Sequence, residues 1–135
     1  MALSVVIHSK SEAGEPIEIA IEKTGGDKGK IRFKSWQAGQ DPVHNAPSTD
    51  KSVDLYDIRA RSPLEIICKG SVFIGSHPDI TCTLHDAAPP GGPLVQVDIE
   101  GAWAGNGTTK YPVTQPDFTK LKQFLAAAHF PPENG

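Results

Sequence analysis

Residues Pro16–Trp36, PIEIAIEKTGGDKGKIRFKSW, decide how this chain is read. Ile17, Ile19 and Ile21 alternate with Glu18, Ala20 and Glu22, the period of two expected when one sheet face is buried. Gly25-Gly26-Asp27-Lys28-Gly29 is turn chemistry, because glycine accepts the backbone angles that tight reversals need. Lys30–Trp36 then alternates again through Ile31 and Phe33. Two alternating runs about a glycine-rich reversal predict a β-hairpin, and therefore antiparallel pairing.

The same reading extends outward. Leu3–Ile7 is a short apolar run with β-branched residues, a first strand, and Ser9–Pro16 is a turn. Ala38–Ser52 is polar, proline-containing and aperiodic, which predicts a long surface loop. Val53–Ile58, Leu64–Cys68, Val72–Ile74, Asp79–Leu84, Leu94–Ile99 and Lys110–Val113 read as further strands. They are separated by the turn His85–Pro93 and the glycine-rich loop Gly101–Thr109. The end differs in kind. Phe118, Leu121, Phe124, Leu125 and Ala128 recur at helical spacing, Pro116 and Asp117 suit a helix start, and Pro131-Pro132 stops it. The expected fold is mainly β, an antiparallel β-sandwich of about seven to nine short strands over residues 3–113. A C-terminal amphipathic helix over 117–128 is laid against it, all within one domain, 1–135.

Length and composition agree with that reading. A chain of 135 residues supports one core, and its 13 glycines and 12 prolines are spread along it as turns rather than massed in one tract. With 13 basic and 16 acidic residues the net charge is −3, which leaves no basic footprint for nucleic acid or a polybasic membrane contact. No run reaches the length of a transmembrane segment. Met1–His8 has no positive n-region and only a short apolar stretch, so a cytoplasmic protein, or one released without a signal peptide, is expected. Cys68 and Cys82 are too few for a disulfide framework. They can face each other across a hairpin, but in a reducing compartment two buried thiols are the expectation. Sequence does not set the oligomeric state.

No linear catalytic signature occurs: there is no Gly-x-Ser-x-Gly, His-Glu-x-x-His, Cys-x-x-Cys or phosphate-binding glycine loop. His77, Cys82, His85 and Asp86 lie close in sequence, but their spacing matches no zinc-ligand pattern, so neither a metal nor another cofactor is expected. The tryptophans are more informative. Trp36 precedes Gln37, Gln40, His44 and Asn45, and Trp103 sits beside Asn106, Thr108, Lys110 and Tyr111. Aromatic faces with amide and hydroxyl neighbours suit a glycan or a lipid headgroup, which need an apolar surface and directional hydrogen bonds. The bland alternative is that each indole closes an end of the core while its N–H meets a carbonyl. Asn106-Gly107-Thr108 fits the glycosylation sequon, unused without secretion.

The stretch Ile58–Val113 resembles the aegerolysins, small leaderless β-sandwich proteins that bind particular membrane lipids. The likeness lies in a strand ending Cys68-Lys69-Gly70 and a strand ending Leu84-His85-Asp86. A Pro/Gly turn follows, and then a strand entering Trp103-Ala104-Gly105-Asn106. The front half is similar in layout, with Gly29-Lys30-Ile31 opening a strand. The family's Trp-Asp-Cys-Pro-Trp-Gly stretch corresponds here to Ile99–Ala104, with one tryptophan and no cysteine, and the helical end also departs from the family. The resemblance implies roles for Cys68 and Trp103 only.

Three functional expectations follow. The first is a non-enzymatic recognition module for a membrane lipid or glycan, built on Trp103, Trp36, Asn106, Tyr111, His44 and Asn45. The second is a small cleft enzyme using Asp86, His85 or His44 as acid or base. The third is a protein-interaction domain that uses a strand edge or the helix.

Overall fold

The computed structural model describes residues 3–71, 79–86, 93–99 and 108–133, with the backbone alone for 71, 79–86, 93–99 and 108–111. The hairpin that opened the reading is present as β2 (Pro16–Lys23) and β3 (Gly29–Ser35), paired antiparallel with Ile21 opposite Ile31 and Ile19 opposite Phe33. β1 (Leu3–Lys10) flanks β2 through a turn in which Gly14 adopts φ +84°, and β4 (Thr49–Ser62) flanks β3. β5 (Glu65–Ser71), β6 (Asp79–Asp86), β7 (Pro93–Ile99) and β8 (Thr108–Pro112) follow, and α1 (Gln115–Ala128) closes the chain. The protein is mainly β, with one C-terminal helix.

Where the sequence suggested two sheets face to face, the described strands follow one another in a single antiparallel sheet, in the order β1 to β8. The second layer is α1. Its Phe118, Leu121, Phe124, Leu125 and Ala128 are buried in one cluster with Val5, Ile7, Ile17, Ile19, Ile21, Ile31, Val53, Leu55 and Ile58. A helix covering the inner faces satisfies the same burial requirement that a second sheet would. Val72–Ile74, expected as a strand, lies outside the described residues.

β4 begins at Thr49 and runs to Ser62, longer at both ends than expected, so the surface loop is shorter than expected. Its inward residues change phase from Val53 and Leu55 to Ile58, because Tyr56 is an extra residue between the pairs Leu55–Gly70 and Asp57–Lys69. Such a bulge bends the strand and keeps Ile58 inside. Beyond the end of β3, β4 borrows other partners: Ile58 N–H donates to Asp27 O, and Ala60 N–H donates to Pro131 O. The post-helical tail is further clamped by Arg61, whose guanidinium donates to both Glu133 carboxylate oxygens at 3.0 and 2.9 Å.

The outer face is charge-striped. Register sets His8, Glu18, Lys34 and Asp50 in one cross-strand row, and Ser4, Glu22, Lys30 and Asp54 in another. Lys34 Nζ lies 3.6 Å from Glu18, and Arg32 donates to both oxygens of Asp50. Lys34 and Lys30 thus stand in register between acids of β2 and β4, and Arg32 pairs with Asp50, which offsets positive charge on the face.

Several carboxyls are held below their usual range. Asp50 is lowered by the Arg32 hydrogen bonds, Asp27 by the bond from Lys28, and Glu133 by the bond from Arg61. A depressed folded pKa contributes stability above the unfolded value and loses it as pH falls through the folded value. Thermal midpoints should therefore not fall on this account between pH 7 and 5. They should drop below the ordinary Asp and Glu values of 3.8 and 4.5. A midpoint unchanged at pH 3 would contradict these ion pairs.

α1 has a proline and an acid in its first turn and a left-handed C-cap at His129, but two other common stabilisers are missing. Thr114 makes no side-chain cap bond, and no basic residue occupies the last turn. Lys23 of β2 supplies the missing cation: its ammonium donates to Ala128 O and lies 5.6 Å from the Phe130 ring centroid. A cation at a helix C-terminus offsets the partial negative charge of the exposed carbonyls. Lys23→Met is expected to cost about 1 kcal/mol by chemical denaturation. An unchanged midpoint would show that contact to be idle.

Candidate functional site

β1 is the edge of the sheet, and its backbone geometry defines a candidate site. Pro16 O accepts from Trp36 N–H and so faces β3, which turns Ile17, and with it the partner Ser9, toward the β1–β2 ladder. By alternation Leu3, Val5, Ile7 and Ser9 pair with β2, while Ser4, Val6, His8 and Lys10 direct their peptide groups outward. His8 confirms the phase: its N–H donates to Asp117 Oδ2 at 2.9 Å. Among the described residues no backbone partner is recorded for Ser4 or Val6 on this side.

The sheet curls round α1 without β1 and β8 pairing along their length. Ser9 Oγ donates to Pro112 O at 2.6 Å and joins the two ends of the sheet there. Below that point α1 faces β1. An open groove of about 450 Å3 runs between the edge of β1 (Leu3, Ser4, Val6, His8) and the helix residues Lys120, Gln123, Phe124 and Ala127. A second, of about 440 Å3, continues past His8 between Ser9, Lys10 and the Pro112–Thr114 segment. Leu3 and Val6 are 40% and 39% exposed, leaving apolar surface beside unpaired peptide groups.

His8 is the pivot of this seam. Its imidazole Nε2 lies 3.3 Å from Glu18 Oε1 and its Nδ1 3.6 Å from Asp117 Oδ2. Asp117 is 8% exposed overall and also lies 4.0 Å from Lys120 Nζ. The histidine itself is 65% exposed. A histidine between carboxylates in open solvent lacks the dry, enclosed setting in which proton transfer is strongly assisted.

The residues expected from the sequence are placed differently. Trp36 is 5% exposed, and its Nε1–H donates to Asn45 O at 2.9 Å. The indole is therefore covered by its own loop and pins it, the use that buried tryptophan commonly finds for its single donor. His44 and Asn45 are exposed on that loop, organised around Asp41. The Asp41 carboxylate accepts from Val43 N–H and contacts the His44 ring, and its carbonyl accepts from the Asn45 backbone and side-chain amides. These bonds, that from Val43 first, hold the Asp41 carboxyl below its usual range. Val43 stands 83% exposed at the tip. The loop thus brings Trp36, His44 and Asn45 together.

Trp103 and Asn106 lie outside the described residues, and Tyr111 is placed by its backbone in β8 opposite Val95. Of the acid–base candidates, His85 and Asp86 are described by backbone at the end of β6; His77, weighed only as a metal ligand, lies outside the described residues. Cys68 is buried, and register sets it opposite Ile80 and Cys82 opposite Ile66, diagonal neighbours across β5 and β6. No three metal-ligating side chains are grouped, and no helix is long and apolar enough to cross a membrane, among the described residues.

A strand edge or the helix was among the surfaces expected from the sequence, but the residues of this seam were not. Lys10, His8 and Val6 are ordinary outward positions of a strand, and only knowing that β1 is the edge and that α1 lies beside it gives them a role. Val6, an apolar residue on the otherwise polar outer phase of β1, is the one signal the sequence carried. No known family model, curated protein or solved structure matches this chain.

Proposed function

We propose that this chain is a recognition module that takes an extended peptide segment as an added strand on the edge of β1. The observation that carries this reading is the outward orientation of the Ser4 and Val6 peptide groups into a groove floored by α1. An added strand finds main-chain partners there, and side-chain positions over Phe124, Ala127 and Gln123, the two ingredients of strand addition. Selection of displayed octapeptides on the wild-type chain provides the probe. Selected peptides should shift the amide resonances of Ser4 and Val6 and protect them from exchange. Val6→Pro removes an outward N–H without touching the β1–β2 ladder, so it should leave the fold intact. Its affinity should fall by about tenfold or more. Equal binding by wild type and Val6→Pro, or no selectable peptide, would remove this reading.

A second reading, lipid-headgroup or glycan binding through the 36–45 and 101–111 loops, draws support from the ordered Asp41 turn that presents Val43, His44 and Asn45. It is also the reading that the aegerolysin resemblance implies for Trp103. Liposome sedimentation beside a glycan array tests it. Trp103→Ala should cost about 2 kcal/mol of affinity if that indole is the anchor. Unchanged binding to both probes would end the assignment.

A further inference from the structure

The geometry points to a separate binding site, for a neutral saccharide unit, at the corner where β3 starts and β4 runs on past it. The corner lies on the face of the sheet turned away from α1. It is at the opposite end of β3 from the 36–45 loop, about 20 Å along the strand.

Strand lengths make this corner. Gly29, the first residue of β3, pairs with Leu55, so Tyr56 is the first residue of β4 beyond the reach of that strand. Tyr56 is also the inserted residue of the bulge and stands 41% exposed. The hairpin reversal closes part of the gap. Lys28 Nζ donates to Tyr56 O at 3.1 Å and to Asp27 Oδ1 at 3.2 Å, while Thr24 N–H donates to Lys28 O at 2.9 Å. Turn and bulge are thereby fixed to one another, and an open pocket of about 340 Å3 remains between Glu22, Thr24, Lys30, Asp54 and Tyr56. That volume is within the range of small-ligand sites, roughly 300–1,000 Å3.

The side chains round the pocket are the second ground. In the neighbouring row the charges close on each other, with Lys34 Nζ at 3.6 Å and His8 Nε2 at 3.3 Å from the Glu18 carboxylate. Here Lys30 stands in register between Glu22 and Asp54, yet among the described residues none of these three has an ion-pair partner, and the Thr24 hydroxyl has no hydrogen bond. Four polar side chains and one aromatic ring thus converge on a pocket without meeting one another.

Their chemistry selects the ligand. Carboxylates only accept and an ammonium only donates, so a small ion of either sign meets a like charge there. A hydroxyl does both. A sugar carries several hydroxyls and an apolar ring face, and so satisfies Glu22, Asp54 and Lys30 while it packs on the Tyr56 ring.

The test titrates the full chain with the methyl glycosides of glucose, galactose and mannose, and with a trisaccharide of whichever binds, reading amide resonances by NMR. Wild type should bind at about millimolar strength, with shifts at Thr24, Lys30, Asp54 and Tyr56. Tyr56→Ala should weaken binding about tenfold and Lys30→Met about fivefold, while Tyr56→Phe, which keeps the ring, should bind as wild type does. These variants change exposed side chains, and thermal midpoints within about 2 °C of wild type check that the fold is kept. Tighter binding of the trisaccharide assigns the site to a glycan chain, and equal binding to a free sugar, both in support. Glucosamine and glucuronate, the charged comparators, should bind more weakly than the neutral glycosides, and tighter binding of either would overturn the neutral-sugar assignment. No shift at these four amides, or wild-type affinity in Tyr56→Ala, would overturn the site. Affinity lost in Trp103→Ala and kept in Tyr56→Ala would move sugar binding to the 101–111 loop and overturn it equally. None of these outcomes bears on strand addition at β1, which Val6→Pro tests by itself.

Discussion

Phe118→Ala is expected to destabilise the protein by about 3–5 kcal/mol, a large share of the stability of a domain this size. Phe118 is 1% exposed and sits at the start of α1, among the inward residues of the sheet. A helix of 14 residues is marginal alone, and this one has neither a side-chain cap nor a basic last turn. Its persistence depends on burying Phe118, Leu121, Phe124, Leu125 and Ala128. Removing the ring leaves a cavity beneath Lys122, whose ammonium lies 5.2 Å from the ring centroid. It also loosens the turn that presents Asp117 to β1. The thermal midpoint should fall by roughly 10 °C or more, with Thr119→Ala, on the exposed side of the same turn, as a near-neutral control. A Phe118→Ala midpoint within about 2 °C of wild type would mean that the helix is not part of the cooperative core.

Gly29→Ala is the second large effect, and it arises from overpacking. A Cβ at Gly29 would stand 2.3 Å from Glu22 O and 2.9 Å from Ile58 Cδ1. The first is a backbone atom of the paired strand, and the second belongs to a side chain that is 0% exposed. Neither can move without disturbing the β2–β3 ladder or the bulged segment of β4, so the cost should reach about 3 kcal/mol or more. Gly26→Ala, in the same reversal but with nothing within 4 Å of its Cβ, should be neutral or slightly stabilising. Equal midpoints for the two variants in urea would contradict the close approach at Gly29.

Much of the strand inventory was legible because a half-buried strand writes its two faces into alternate residues. Ile17, Ile19, Ile21 and Ile31 are all buried, and all were read as inward from spacing alone. The helix was legible for the same reason at a different period, and its five predicted apolar positions are buried, together with Asp117. It begins two residues earlier than expected, at Gln115, since Pro116 in the first turn gives up an N–H that needs no partner there. The phase change in β4 was harder to read. The spacing Val53, Leu55, Ile58 breaks the period of two, and only the pairing with β5 shows that Tyr56 is the inserted residue.

The candidate site was scarcely legible. For Trp36 the polar neighbours left two readings open, a stacking surface for a ligand or a buried indole whose N–H meets a carbonyl, and it is buried. Those neighbours fold over it, and Asn45 supplies the carbonyl its indole needs. The partners of the seam are far apart in sequence: His8 and Asp117 are 109 residues distant, and Lys23 and Ala128 are 105. No local pattern encodes such contacts.

The hairpin at Pro16–Trp36 and the amphipathic end were determined by the sequence alone, because burial of one face acts residue by residue and leaves a periodic trace. Tertiary structure decided that the described strands form one sheet, that α1 serves as its second layer, and that β1 is left as an edge beside the helix. Those outcomes depend on which surfaces meet across the whole chain. An edge is defined only by the neighbour it lacks.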